Sequence, residues 1–221
     1  MLDSIILDPP TDATACVIWM HGLGADGNDF VPIVRELNLP KNHSVRFVFP
    51  NAPTMPVTIN NGHIMPAWYD IIGADLQNRA DEAGVRRSQA EINDIIADQR
   101  AQGIASEKIV LAGFSQGGVI ALQTALRHPE KFAGVLALST YLACADTLGS
   151  EGTVANHKTP IFYAHGTGDP VIPLALAKQS RAKLENHGHS VRWHEYPMPH
   201  SVCAQEVEDI AKFLKKVLAI A

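Results

Sequence analysis

The sequence predicts an α/β fold built on a mostly parallel central sheet flanked by helices. Two observations carry this. Short apolar runs rich in β-branched residues recur along the chain, and amphipathic helical stretches lie between them. A run that is apolar at nearly every position reads as a strand buried on both faces, as in a parallel sheet covered by helices. Strands that alternate with helices imply right-handed crossovers within one sheet.

The elements follow in chain order. Strand-like runs occupy residues 15–20, 45–49, 109–114, 134–138, 161–164 and 191–196. A short helix is expected over 30–37. A long one over 82–102 places Val85, Ile92, Ile95 and Ile96 on one face and stops at Gly103. Residues 116–128 form a helix that ends before Pro129, and 174–187 form another before the last strand. Near the C-terminus Val207, Ile210, Phe213, Leu214 and Val217 recur at helical spacing, with Lys212, Lys215 and Lys216 on the wet side. Residues 50–73 carry Pro50, Pro53, Pro56 and Pro66 and show no clear period. They read as a long loop, and such a loop in a compact domain is usually functional. With no repeat, linker or low-complexity tract, one domain is expected across residues 1–221.

Composition narrows the function. The 221 residues are 46% hydrophobic and 19% charged, a globular balance that excludes disorder. Eighteen basic against 23 acidic residues give a net charge of −5. That argues against nucleic acid or an anionic membrane as the main partner. Cys16, Cys144 and Cys203 show no CxxC spacing and fit reduced thiols in a cytoplasmic protein. No Lys or Arg precedes the first apolar run, so no signal peptide is expected. The longest weakly polar stretch, 132–145, is too short to span a bilayer, so no stable membrane insertion is expected.

The sharpest chemical signal is Gly113-Phe114-Ser115-Gln116-Gly117, a GxSxG pattern between a strand and a helix. In that strand–turn–helix the serine sits on a tight turn with its hydroxyl exposed above the sheet. Gln116 then opens the helix, where backbone N–H groups are unpaired and the dipole favours negative charge. A serine nucleophile needs a base, and the base needs an orienting acid. On such a sheet the order is Ser, then Asp or Glu, then His. Asp169 follows the strand 161–164 and His200 follows the strand 191–196. Both therefore lie at the carboxyl edge of the sheet, where open α/β sheets place their sites. Asp146 is a competing acid on a less direct path. His194 lies inside a strand and His187 at a helix end, so neither is expected to reach Ser115.

A second oxyanion donor is expected from the glycine-rich loop after the strand 15–20, His21-Gly22-Leu23-Gly24-Ala25-Asp26-Gly27, with the Leu23 N–H as candidate. This loop lacks the GxGxxG and Lys-Ser/Thr features of nucleotide sites, so no nucleotide cofactor is expected. His187, His189, His194 and His200 cluster in sequence, but no Cys or carboxylate completes a ligand set, so no metal is expected. Met65, Trp68 and Ile71, with Leu23, are candidate walls of an apolar acyl groove; ordinary packing is the equal alternative for Trp68. Only 22 residues separate Leu138 from Ile161, too few for a large cap domain, so the site is expected to be open.

These motifs resemble the carboxylesterase/acyl-protein thioesterase family of α/β-hydrolases, also described as phospholipase/carboxylesterase. The resembling segments are His21-Gly22-Leu23-Gly24, Phe49-Pro50-Asn51-Ala52-Pro53, Trp68-Tyr69-Asp70, Gly113 to Gly118, Leu138-Ser139-Thr140-Tyr141-Leu142, His165-Gly166 with Asp169, and His200. They span nearly the whole chain in order. The resemblance implies Ser115 as nucleophile, His200 as base, Asp169 as its partner, and the Leu23 and Gln116 amides as the oxyanion hole. It also suggests a homodimer whose interface partly covers the site. One position departs: Pro199 stands where the family usually has glycine. Proline fixes φ and removes an N–H, so the His200 loop is expected to sit differently. The expected activity is hydrolysis of carboxylic esters of short to medium acyl chains through an acyl-enzyme. The alternative is a lysophospholipase or acyl-protein thioesterase acting on long chains. A binding module on the same fold, without chemistry, is the contrasting reading, but no triad member is missing.

Overall fold

The computed structural model describes residues 1–73 and 80–220. Its strands and helices fall close to the sequence pattern. The sheet strands are β1 (Ser4–Leu7), β2 (Ala15–Met20) and β3 (Val45–Pro50), followed by a hairpin of β4 (Thr54–Val57) and β5 (His63–Pro66). Then come β6 (Ile109–Phe114), β7 (Gly134–Leu138), β8 (Ile161–Gly166) and β9 (Val191–Tyr196). The helices are α1 (Ile33–Glu36), α2 (Glu82–Ala101), α3 (Gln116–Arg127), α4 (Leu148–Glu151), α5 (Leu174–Asn186) and α6 (Ala204–Leu218).

The main sheet has the order β1-β3-β2-β6-β7-β8-β9. Only β1 runs antiparallel; every other neighbouring pair is parallel. Successive side chains of a strand point to opposite faces, and each face has its own core. Cys16, Ile18 and Met20 pack with Val85, Ile92, Val119 and Leu184 of α2, α3 and α5. Val17 and Trp19 pack with Ile33 of α1 and with Ile210, Phe213 and Leu214 of α6. β2 is buried at all six positions, which is why it reads as a continuous apolar run. Each such side chain contributes about 1.5–3 kcal/mol on burial. Among the described residues no helix is long and apolar enough to cross a membrane.

Two features were not legible. β1 is a four-residue edge strand pairing Ile5 with Phe49, while Ile6 is 48% exposed. Four residues are too few for alternation to register. Residues 50–73, expected as a loop, contain the β4–β5 hairpin, with Thr54 opposite Pro66 and Val57 opposite His63. A two-stranded hairpin is all edge, so Pro56 and Pro66 fit where a central strand would reject them. Those prolines hide the period in the sequence.

The segment between β7 and β8 is pinned by charge. Arg127, with a side chain 4% exposed, donates to Glu151 at 2.7 Å, to the Cys144 carbonyl at 2.8 Å and to the Thr147 hydroxyl at 3.0 Å. Arg86 of α2 reaches the other Glu151 oxygen at 2.7 Å. Hydrogen bonds from Arg86 and Arg127 hold the Glu151 carboxyl down at about 2. A depressed carboxylate stabilises the fold above its unfolded value and loses that contribution as pH falls through its folded value. Glu151→Gln is therefore expected to cost about 1–2 kcal/mol at neutral pH. In denaturant titrations the gap should close as pH falls from 4.5 to about 2. Parallel stability curves down to the lower pH would contradict this account.

Candidate active site

β6 delivers Ser115, and α3 begins at the next residue. Ser115 has φ 56° and ψ −118°, a conformation that costs a non-glycine residue about 1–3 kcal/mol. Close packing enforces it. A Cβ on Gly113 would lie 2.1 Å from the Gly117 carbonyl oxygen, and one on Gly117 would lie 2.2 Å from the Met20 oxygen. The spacing of glycines around the serine is thus a steric requirement of strand and helix meeting so tightly. Hydrogen bonds hold both ends of the residue. The Ser115 N–H donates to the Leu138 carbonyl at 2.9 Å, and the buried Thr140 hydroxyl donates to the Ser115 carbonyl at 2.7 Å. Thr140 is a supporting residue that the sequence reading gave no role; its only signal was a polar pair directly after an apolar strand.

The candidate acid and base meet beyond β8 and β9. His200 Nδ1 lies 2.7 Å from Asp169 Oδ2. The Asp169 side chain is fully buried, and its Oδ1 accepts from the N–H groups of Val171 at 2.8 Å and Ile172 at 2.9 Å. With Nδ1 engaged, His200 Nε2 is the atom able to accept a proton. The Phe114 ring, next to Ser115, packs on the His200 imidazole with centroids 4.7 Å apart. No hydrogen bond joins Ser115 Oγ to His200 among the described residues; such contacts often tighten only with substrate bound. Pro199 does not disturb the Asp169–His200 pair. The loop makes its own hydrogen bonds through the N–H groups of Met198 and Ser201, so position 199 needs no donor.

The loop after β2 lies beside the nucleophile: a Cβ on Gly22 would be 3.6 Å from Ser115 Cβ. Its carbonyls and amides are fixed one by one. His21 Nε2 accepts from the Ala52 N–H at 3.0 Å, so Nδ1 carries the proton and donates to the Gly22 carbonyl at 2.7 Å. Burial holds this imidazole below the ordinary range, so it is neutral. The Trp68 indole N–H donates to the His21 carbonyl at 2.9 Å, and the Gly24 N–H to the Pro66 carbonyl at 2.8 Å. Neither the Leu23 nor the Gln116 N–H donates to a backbone carbonyl among the described residues. The Gln116 side chain is occupied elsewhere, accepting from the Trp68 N–H at 3.0 Å and donating to the Tyr69 carbonyl at 2.8 Å.

The candidate groove is smaller than the sequence suggested. Leu23 and Met65 are half-buried, and Met65 Sδ lies 3.7 Å from where a Cβ on Gly24 would stand. Trp68 is 0% exposed and holds the His21 carbonyl, and Ile71 is also buried. The large apolar surface of Trp68 and its need for an acceptor both draw it inward.

The competing residues lie elsewhere. Asp146 has a side chain 99% exposed, with Lys183 3.8 Å away. The clustered histidines diverge. His194 stacks on Phe162 at 4.4 Å, His187 donates to the Lys183 carbonyl, and His189 meets the ring of His157. Among the described residues no group of three or more His, Cys, Asp or Glu is placed to hold a metal ion.

Comparison with known proteins places the chain in a family. Residues 2–218 match the family model described as phospholipase/carboxylesterase. The acyl-protein thioesterase 1 of Mycosarcoma maydis is 38% identical, covering 99% of this chain and 98% of that one. The Neurospora crassa protein of the same name is 39% identical over 93% of this chain and 87% of its own length. Among solved structures, Arabidopsis thaliana SOBER1 superposes with a TM-score of 0.87 at 28% identity, over 92% of this chain and 99% of that one. Zea mays acyl-protein thioesterase 2 gives 0.83 at 25% identity, over 99% and 100%.

The Trp68 contact generates a prediction. Trp68→Phe keeps an aromatic ring but strands the His21 carbonyl, so it should cost about 1–3 kcal/mol of stability. It should also lower kcat with KM changed by less than about threefold, since a loosened loop weakens transition-state contacts more than binding. Denaturant titration and steady-state kinetics on one ester check both halves. An unchanged kcat would mean that the indole serves packing alone.

Proposed function

Since the chain belongs to the phospholipase/carboxylesterase family of α/β-hydrolases and is a serine hydrolase of ester and thioester bonds, we propose that Ser115, His200 and Asp169 are its catalytic residues. Ser115 Oγ attacks the acyl carbon while His200 Nε2 takes its proton. Asp169 holds the tautomer and stabilises the imidazolium that forms. The Leu23 and Gln116 N–H groups bind the developing oxyanion. The alcohol or thiol leaves with the proton from His200. Water, activated by the same imidazole, then releases the acid from Ser115. The observation that carries this reading is the 2.7 Å Asp169–His200 hydrogen bond, packed through Phe114 against the strained Ser115 turn.

The proposed substrates are esters of short to medium acyl chains. With Trp68 and Ile71 buried, Leu23 and Met65 are the candidate walls left to hold an acyl group. A second reading is long chains carried on lysophospholipids or proteins. It is favoured by Ile59, Ile64 and Ile72, which are 42%, 68% and 55% exposed on and around the hairpin that bears Met65. The relatives named acyl-protein thioesterase support thioesters as well as oxygen esters. No cofactor is proposed. The cytoplasm is the proposed compartment, supported by three free thiols, and a homodimer remains part of the proposal.

The test is p-nitrophenyl ester hydrolysis from acetate to palmitate, with Ser115→Ala as control. The variant should lose at least about 10³-fold in kcat and all labelling by a fluorophosphonate. A rate maximum at short chains supports the small-ester reading, and a maximum at long chains supports the second one. Full activity in folded Ser115→Ala would overturn the nucleophile assignment.

A further inference from the structure

We propose that His165 is a positioning residue that locks the carboxylate of Asp169 toward His200 by clamping the turn in which Asp169 sits. The inference rests on the assignment of Asp169 and His200 given above. His165 occupies the second-last position of β8 and is fully buried. Its Nε2 lies 2.8 Å from the Ile172 carbonyl oxygen and 3.5 Å from Asp169 Oδ2. A carbonyl can only accept, so Nε2 carries the proton and donates. Among the described residues Nδ1 is buried without a partner. A second proton there would be a buried charge with no acceptor of its own, and burial accordingly pushes the ring below the ordinary imidazole range.

Two hydrogen bonds thus meet at Ile172. The Ile172 N–H donates to Asp169 Oδ1, and the Ile172 carbonyl accepts from His165. One peptide unit of the turn thus holds Asp169, while its neighbour is held by His165. Asp169 Oδ1 is fully used by the turn, which leaves Oδ2 for His200. The His165 N–H edge near Oδ2 supplies a dipole without a net charge. The carboxylate therefore keeps its full negative charge for the imidazolium of His200. A cationic partner at the same place would compete for it. His165 touches neither the substrate nor the reacting atoms in this account and acts through Asp169.

The test compares three substitutions in the full-length protein. Glutamine carries an amide N–H about as far along its side chain as Nε2. Asparagine is too short to reach that point, and leucine fills the space without a donor. His165→Gln should keep kcat within about threefold. His165→Asn and His165→Leu should each lose about tenfold or more in kcat with KM changed by less than about threefold. The second readout is the low-field proton resonance of the His200 Nδ1–H bonded to Asp169. It should persist in the wild type and in H165Q, and broaden or move upfield in H165N and H165L. Folding is monitored by near-UV circular dichroism, and the H165Q–H165N pair decides the question if H165L does not fold. Unchanged kcat and resonance in H165N would overturn the proposal, as would H165Q being as impaired as H165N. The underlying assignment fails differently: the wild type itself would then show no such resonance, or one that survives Asp169→Asn.

Discussion

Everything at this site depends on one backbone constraint, the positive φ of Ser115 where β6 turns into α3. The turn sits at the middle of the sheet, with β2 on one side and β7 on the other. Those neighbours supply what the turn needs. The carbonyls of Met20, which ends β2, and of His21 press on Gly117, while Leu138, which ends β7, and Thr140 two residues on hold the serine backbone at both ends. Neighbouring strands stand about 4.8 Å apart, so β8 and β9 lie about 10 and 14 Å from β6. Acid and base cannot sit at the strand ends themselves and still reach the serine. Asp169 and His200 come three and four residues past Gly166 and Tyr196, on loops long enough to fold back toward β6. The chain order of the proposed catalytic residues is thus a consequence of strand order.

Two buried histidines do the same physical work at different strand ends. His21 follows β2 and donates to the Gly22 carbonyl; His165, next to last in β8, donates to the Ile172 carbonyl. Burial pushes both below the ordinary imidazole range, so each serves as a rigid, uncharged donor. A lysine or arginine could make the same contact only by bringing a charge into the interior, which is costly without a paired anion. The arrangement stiffens both loops of the site and leaves Asp169 with His200 as its partner for charge. Electrostatic stabilisation of this kind works because the donors are already in place when charge develops.

The inner parallel strands were legible because burial on both faces writes itself as uninterrupted apolar sequence; β2, β6 and β7 begin and end where that pattern does. The glycine spacing that marks Ser115 as the proposed nucleophile reflects a steric demand of the turn, and Asp169 and His200 could be singled out because they follow strands; the structure brings those two into hydrogen-bond contact. What escaped was local or relational. β1 has too few residues to show a period, and the β4–β5 hairpin contains prolines that break one. Trp68 was visible as an important residue, but its side could not be assigned. Whether an indole lines a groove or props a loop depends on a carbonyl 47 positions away in sequence. Thr140 and His165 were quoted within motifs without a role, because their partners are backbone atoms, which a sequence does not distinguish.

The hairpin explains how the rigid and adaptable parts of the site are divided. It is fixed to the body of the protein at both ends. At the turn Thr58 donates through N–H and hydroxyl to the two oxygens of Asp70; at the base the Ala67 N–H donates to the Pro53 carbonyl, and the Pro66 carbonyl receives the Gly24 N–H. Each of these contacts uses backbone atoms or the side chains of Thr58 and Asp70. The side chains of Ile59 and Ile64 are exposed and take no part in that anchoring. On the proposed reading, substitution there changes the apolar surface offered to an acyl chain while the loop after β2 stays fixed through Pro66. Proline suits that position because its carbonyl is still available after its N–H is gone. On that reading acyl-chain preference varies on the hairpin surface independently of the geometry that orients Ser115, Asp169 and His200.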